Sequence, residues 1–218
     1  MAGEVIVHAG RLDARHPESH ARLYRHLTGE AGWHRLHPAI RRRFSRDAAV
    51  KGPIVYSGAL TIERNWIGWL FASLGRVFGS PLPLNAAQGA PAEVRVYSDG
   101  GNGIVWERRL SPRPDRLEIV QSTKRPWTSE RLLECARHGL SMLLAVFEDR
   151  GGLVFESRGF GLLLGRYWLR IPDALTPGCC RVTHAAIDDR LFRFTLEINH
   201  RRWGRVMTQT GVFVDPEA

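Results

Sequence analysis

The chain is poor in cysteine, and this scarcity excludes two classes of small protein. It has three cysteines: Cys135 stands alone, and Cys179 is adjacent to Cys180. Neighbouring cysteines rarely bridge each other, so this set builds no disulfide framework. The spacing of zinc-binding cysteine pairs is also missing. We therefore expect a protein of a reducing, cytoplasmic compartment.

Long hydrophobic runs are lacking as well. The most apolar stretch, GWLFASLGRVFG, contains an arginine and is too short to span a bilayer. The N-terminal segment MAGEVIVHAGRLDARHPESH lacks the continuous apolar core of a signal peptide. Both observations predict a cytoplasmic protein without a transmembrane segment.

Lysine is scarce too, since only Lys51 and Lys124 accompany the many arginines. Basic residues nevertheless outnumber acidic ones by 31 to 22, which gives a net charge of +9. Such a charge favours nucleic acid, anionic membranes or acidic metabolites as partners. The basic residues are scattered, apart from the clusters at 41–43 and 201–202, and this scatter argues against a nucleic-acid interface.

The segment INHRRWGR, residues 198–205, concentrates arginine, histidine and tryptophan. It follows the strand LFRFTLEIN, in which Phe192, Phe194, Leu196 and Ile198 alternate strictly with polar residues. A second strand, WGRVMTQTGVF, begins directly afterwards. The pattern predicts that NHRR is a four-residue hairpin connection and that Trp203 packs a strand end.

What the sequence does contain is a short helical region followed by a long β-rich region. Apolar residues at three- and four-residue steps predict helices over 18–28 and 37–45, with arginines on the solvent faces. GPIVYSGALTIE predicts a strand, and residues 65–78 predict a helix with Asn65 as N-cap. The following loop, GSPLPLNAAQGAP, is interpreted as a loop or lid.

From Pro91 onward the pattern is that of antiparallel sheet, with about seven or eight strands joined by short turns. One apolar face cannot stay in water, so the sheet must curl on itself or be covered, and the short N-terminal helices are too few to cover it. We predict a mainly antiparallel β fold, a curled sheet or lipocalin-like barrel with short N-terminal helices; a helix-grip fold is the alternative. Residues 1–17 would be a mobile or extended lead-in and residues 18–218 a single domain, with a helical cap over 18–45 and the sheet over 52–218.

Several motifs together resemble the uncharacterised domain-of-unknown-function family 4166. Trp106 and Arg108 match its tryptophan–x–arginine pair, and the likeness runs from about residue 20 to residue 214. Members can resemble a tail domain behind a saccharopine-dehydrogenase-like oxidoreductase. The resemblance implies an oxidoreductase partner and supplies no reaction. The motifs are LHPAIRRRF, GSPLPL, VWERRL followed by QST, YWLRIPDALTP, and WGRVMTQTGVF.

VWERR and QST supply the candidate binding residues. Trp106 and Arg108 share one strand face, and an inward guanidinium needs a carboxylate, a carbonyl or an anionic ligand. Gln121 or Glu118 on the next strand could reach it. A purely structural ion pair is the competing interpretation. The full predicted ligand-binding set is Trp66, Trp69, Trp106, Arg108, Gln121, Ser122, Tyr167 and Trp168.

Other groups of residues do not predict a metal, cofactor or catalytic site. His16 and His20 have the spacing of a helical metal pair, but Pro17 separates them and no further ligand completes a site. GFGLLLG departs from dinucleotide-binding spacing. His184 and Thr183 are strand neighbours, so their side chains point to opposite faces. We expect no metal, no cofactor and no catalytic residue.

Three hypotheses remain open at this point. The first is a non-catalytic module that holds a small, largely apolar molecule in a barrel cavity; in one form of this hypothesis the molecule is also anionic. The second is a protein-interaction domain that docks on an oxidoreductase through its apolar helix and tryptophans. The third is an enzyme that uses the same cavity. An inward carboxylate or histidine would favour the third, and a cavity filled by aromatic side chains would leave only the second.

Overall fold

Ten antiparallel strands form a closed barrel in the computed structural model of the chain. The structure describes residues 20–46, 52–77, 82–113, 116–128, 130–165 and 167–217. The lead-in predicted for residues 1–17 lies outside the described residues, and the one-domain division stays a prediction. The strands are β1 Ile54–Arg64, β2 Ala87–Ser98, β3 Ile104–Arg113, β4 Arg116–Thr128, β5 Arg131–Cys135, β6 Leu140–Asp149, β7 Gly152–Leu164, β8 Tyr167–Arg170, β9 Cys179–Ala186, β10 Leu191–His200 and β11 Gly204–Val214.

The strand order around the barrel is β6-β5-β4-β3-β2-β1-β11-β10-β9-β7, and a β6–β7 pairing closes the ring. β8 pairs with the last part of β7, beyond the segment that pairs with β9. The lipocalin-like barrel prediction is confirmed. The closed ring replaces the helix-grip alternative, in which an open sheet wraps around a long helix.

The sheet holds more strands than the sequence pattern indicated. β5 and β8 contain 5 and 4 residues, respectively. Strands this short carry too few alternations to be recognised by period alone. β8 lies in the segment 159–171, which has no clear pattern in the sequence.

The alternation predicted for β10 is confirmed: Phe192, Phe194, Leu196 and Ile198 are all buried. The predicted hairpin connection is displaced along the chain. His200 still pairs with Gly204 after a register shift at Ile198/Asn199, so the turn consists of residues 201–203. The shift keeps Asn199 and His200 in the ladder and places Trp203 in the turn itself.

Within the described residues 20–46, two helices precede the barrel, α1 (His20–Arg35) and α2 (Pro38–Phe44). α1 continues past Gly29, which takes a left-handed φ of 69° and kinks the helix. The prediction that the helical arginines face solvent is wrong for Arg43, which is buried. Ile40 and Phe44 pack against the barrel, and Arg43 shares their helix face because it lies three residues after Ile40.

A third helix, α3 (Trp66–Val77), follows β1. Asn65 caps it as predicted, because its Oδ1 accepts a hydrogen bond of 2.9 Å from the Gly68 amide. Ile67 and Ala72 are buried, whereas Trp66, Leu70 and Leu74 are exposed. Within the described ranges, every helix is too short or too polar to cross a membrane.

The barrel has two ends, here named the closed end and the mouth end. α1 and α2 cover the closed end, where the amide of His37 donates to the carbonyl of Gly151 in the β6–β7 turn at 2.9 Å. The mouth end carries α3, the β5–β6 and β7–β8 connections, the 3₁₀ turn Asp173–Leu175 and the β10–β11 turn. Alternating strand direction sends successive connections to opposite ends, so the elements divide cleanly between them.

Candidate functional site

A cluster of charged and polar side chains lies inside the barrel, on β3, β4 and β5. Lys124 Nζ lies 3.2 Å from Glu134 Oε1, and the Ser122 hydroxyl donates to the same oxygen at 2.6 Å. Arg108 Nη2 lies 3.8 Å from that oxygen. Two cations and one hydroxyl therefore share one carboxylate in a water-poor interior.

β4 contributes polar side chains to the barrel interior because its inward positions are polar and some of its outward positions are apolar. Glu118, Ser122 and Lys124 alternate on the inner face and are buried, whereas Leu117 and Ile119 point outward and are exposed. Strand pairing then sets Ser122 opposite Trp106 and Lys124 opposite Glu134. The outward leucine and isoleucine cost little, but the inward charges must find partners.

Burial and charge act against each other within the cluster. Burial alone would raise the pKa of Glu134, but Lys124, Arg108 and the Ser122 hydrogen bond outweigh it, and the pKa is lowered. Burial lowers the pKa of Lys124, and the Arg108 charge acts in the same direction against the attraction of Glu134. Glu134 is thus held ionised, and it is shared between two cations.

Arg108 is the least satisfied member of the cluster. Its side chain is 14% exposed, and its distance to Glu134 is too long for a good hydrogen bond. It donates no hydrogen bond to any residue in the described part of the chain. A guanidinium has five N–H donors, so Arg108 has hydrogen-bonding capacity that the described residues do not use.

Toward the closed end, the interior becomes an aromatic chamber around His184. Phe44, Trp106, Phe155 and Phe194 surround its ring, with centroid distances of 5.3, 5.7, 5.9 and 5.5 Å. Burial, with the charges of Arg43, Lys124 and Arg108, lowers the pKa of His184 well below its usual value. His184 is therefore neutral in the folded protein.

Arg43 enters the same chamber from α2. Its guanidinium carbon lies 3.2 Å from the ring centroid of Phe192 and 4.2 Å from that of Tyr56. Burial lowers the pKa of Arg43 to about 10, which leaves it positive at neutral pH. Its Nε and Nη1, like His184 Nδ1 and Trp106 Nε1, have no hydrogen-bond partner among the described residues.

Two connected spaces lead from the mouth end to the cluster. The outer space is an apolar cleft of about 400 Å³ that Phe71, Leu74 and Phe160 line, and the inner space is a chamber of about 60 Å³ beside Trp106 and Arg108. Both spaces are lined by Glu134 and Cys180. Burial raises the pKa of the Cys180 thiol to about 12, so this cysteine is a neutral lining group.

A third space, a groove of about 780 Å³, runs along the free edge of β4. β5 pairs with β4 only from Thr123 onward, so residues 116–122 bond to β3 alone. Arg76, Arg116 and Arg137 line the groove. The approach to the barrel wall is therefore basic.

The structure brings three of the predicted binding residues together and separates a fourth from them. Trp106 and Arg108 line the inner chamber, and Ser122 bonds to Glu134 beside them. Gln121 does not join them: it is exposed, in the groove along β4. The reason is strand alternation, since Gln121 neighbours Ser122 and must face the other way.

The remaining predicted residues lie outside the chamber. Trp66 and Trp69 are exposed on the outer face of α3, and Tyr167 is exposed on β8. Trp168 is buried between β8 and β7, and its Nε1 donates to the Ser141 hydroxyl at 3.1 Å. A Cβ at Gly161 would lie 2.4 Å from the Trp168 ring, so this tryptophan packs against the wall.

Sequence reasoning did not select Lys124, Glu134 and Arg43 as site residues. On a strand, a polar residue is ordinarily assigned to solvent, and the pattern of β4 contains the same alternation whichever face is inward. One signal was available: Glu118, Ser122 and Lys124 share one face, opposite two exposed aliphatic residues. The described residues contain no group of three or more potential metal ligands, and His16 lies outside them.

The fold and this interior define a closed antiparallel barrel of the lipocalin-like type with a charged core. In a comparison with protein families, the family described as Domain of unknown function (DUF4166) matches residues 36–213. The chain belongs to this family. No curated protein matches it.

Proposed function

We propose that this protein is a binding module for a small, largely apolar molecule with an anionic head. The apolar part would occupy the 400 Å³ cleft, and the head would reach Arg108 and Lys124. The proposal depends mainly on two cations, the buried Lys124 and the half-buried Arg108, that share a single carboxylate while hydrogen-bond donors of Arg108 are unused. A carboxylate head supplies both the missing charge and the missing acceptors.

The cleft suits the remainder of such a molecule. Phe71, Leu74, Phe160 and Ile171 are among its lining residues, and its volume falls in the range of small-molecule sites. A polar group at the inner end of an apolar cleft fixes the orientation of a ligand. The inner chamber of about 60 Å³ admits only the head, because aromatic side chains fill the space around it.

The inward Glu134 and His184 are the feature that would favour an enzyme. Their environment supports binding over catalysis. The lowered pKa of Glu134 makes it a weak base, and one of its oxygens already has three partners. His184 lines only the inner chamber and lies behind Trp106 and Phe194.

Titration with decanoate and decanol, two probes that differ in head charge, tests the proposal. We expect decanoate to bind the purified protein more tightly than decanol. Arg108→Met removes the anchor and should weaken decanoate binding about tenfold or more, with little effect on decanol. Arg95→Met is the matched control, because Arg95 pairs with Glu93 at 2.6 Å and lines neither the cleft nor the inner chamber.

Isothermal titration calorimetry gives the affinities, and native mass spectrometry of the purified protein shows any molecule that copurifies. Equal affinity for the two probes would overturn the anionic head. Equal losses in the two arginine variants would remove Arg108 from the site. Absence of binding for both probes would overturn the proposed function.

A further inference from the structure

The mouth end carries a belt of exposed apolar side chains, here named the rim. Trp66, Leu74, Leu175 and Trp203 are its core members, and Trp66 and Leu175 are 72% and 71% exposed. They come from α3, the Asp173–Leu175 turn and the β10–β11 turn. Leu74 and Leu175 also line the cleft, so the rim surrounds its opening.

The belt extends to both sides of these residues. Trp69 and Leu70 continue it along α3, and Leu164 and Leu169 continue it along the β7–β8 hairpin. At the closed end the exposed apolar side chains are fewer and include Ile187 and Val214, without a tryptophan among the described residues. Exposed apolar groups that gather at one end of a protein mark an interaction surface.

The charge of the rim is predominantly positive. The segments 66–77, 135–140, 167–178 and 199–206 contain one carboxylate, Asp173, which pairs with Arg170 at 3.1 Å. The other arginines of these segments are exposed and make no ion pair with a described residue. They are Arg76, Arg137, Arg201, Arg202 and Arg205.

The closed end has a different charge arrangement. Arg46 pairs with Asp215 and Glu217, and Arg42 lies 3.6 Å from Asp189. Arg150 and Arg190, at the same end, are exposed and make no ion pair with a described residue, so the two ends differ in degree. What distinguishes the rim is that its unpaired arginines lie at the same end of the barrel as the exposed tryptophans and leucines.

We propose that the rim docks the barrel on an anionic lipid bilayer, with the mouth against the membrane. Tryptophan and leucine insert at the level of the lipid headgroups, and arginine binds their negative charge. An acidic protein is a weaker match, because the rim encircles an apolar opening. The docked cleft would take its ligand from the membrane, and this part of the proposal rests on the proposed function. The docking itself rests on the rim alone.

Flotation with vesicles of phosphatidylglycerol and of phosphatidylcholine tests the docking with the full chain. We expect binding to the phosphatidylglycerol vesicles and little to the neutral ones, with a loss of binding in high salt. Arg201→Gln with Arg202→Gln should weaken binding about tenfold or more. Arg150→Gln with Arg190→Gln, at the closed end, is the matched control.

The apolar part has its own pair of variants. Trp66→Ser with Trp69→Ser should reduce flotation, whereas Ile187→Ser at the closed end should leave it unchanged. Equal effects of rim and closed-end variants, or flotation without dependence on lipid charge, would overturn the proposal. So would the absence of flotation combined with rim-dependent capture by an acidic protein. Decanoate titration without vesicles keeps a failure of docking distinct from a failure of the cavity.

Discussion

The two ends of the barrel differ in how completely helices cover the opening. At the closed end, α2 inserts Ile40 and Phe44, and Phe44 contacts Tyr24 and Phe155 with ring centroids 5.1 and 5.9 Å apart. At the mouth end, α3 covers the opening only in part and leaves a 400 Å³ cleft. The difference indicates that the closed end supplies stability and leaves the mouth available for contacts.

The difference also governs how each end treats charge. At the closed end Arg42 and Arg46 pair with carboxylates, although Arg150 and Arg190 do not, whereas Arg170 is the one paired arginine of the described rim segments. Removing one partner of a largely buried pair, such as Arg46 with Asp215, costs more stability than removing one partner of an exposed pair, because a buried charge is left unpaired. Substitutions at the two ends should therefore separate stability from binding.

The largest effect is expected for Phe44→Ala at the closed end. The change removes a buried ring that contacts Tyr24, Trp106, Phe155 and His184. We expect the free energy of unfolding to fall by about 3–5 kcal/mol, because a cavity replaces the ring. Urea denaturation measures it. A loss below about 1 kcal/mol would show that the closed end does not supply the stability assigned to it.

Glu134→Leu tests the polar cluster between the two ends. The substitution leaves Lys124 and Arg108 without their carboxylate, and we expect a loss of about 3 kcal/mol in the free energy of unfolding. Adding Lys124→Met should recover part of the loss, because the unpaired ammonium is removed. If the double variant is no more stable than the single one, the cost comes from packing instead of charge.

The pH dependence of stability should report His184 at the closed end. Its pKa in the folded protein is well below the ordinary value of 6.5. Below pH 6.5 the histidine therefore becomes protonated in the unfolded chain while it stays neutral in the folded protein. Above pH 6.5 His184 does not reduce the free energy of unfolding. Below pH 6.5 it lowers the free energy of unfolding by at most about 1.4 kcal/mol per pH unit.

His184→Phe supplies the control for this measurement. Urea denaturation at several pH values between neutral and mildly acidic should give a flatter profile for the variant than for the natural chain. The difference between the two profiles isolates His184 from the other titrating groups. Parallel profiles would contradict a buried, neutral histidine.

The smallest effect on stability is expected for Trp66→Ser in the rim. Because the side chain is largely exposed, the free energy of unfolding should change by less than about 0.5 kcal/mol. Urea denaturation beside the Phe44→Ala variant makes the comparison direct. A loss as large as that of Phe44→Ala would mean that the rim belongs to the core, and the contrast between the ends would fail.

Much of the fold could be predicted from local pattern. The alternation of β10 requires that Phe192 to Ile198 face a core, and Asn65 before an apolar helix marks the start of α3. Period and capping are local properties, and nearby residues suffice to determine them. The same reasoning identified Trp106 and Arg108 as a pair on one strand face.

The polar site could be predicted only in part. Gln121 and Ser122 are adjacent, and the choice between them depends on which face of β4 is inward. Arg43 was assigned to solvent because arginine ordinarily lies there. Its burial follows from the way α2 closes the barrel, and no local pattern encodes that packing.

The sequence by itself determined that this chain forms an antiparallel sheet that must curl, because alternation of apolar residues leaves one face that cannot stay in water. Only the tertiary structure decided what lies inside. Ring closure brings β3, β4 and β5 together and sets Lys124 and Arg108 around Glu134. It also gathers distant segments such as α3 and INHRRWGR at one end, so that the basic turn becomes part of the rim. Contacts between residues far apart in the chain depend on strand order and closure, and those are properties of the whole barrel.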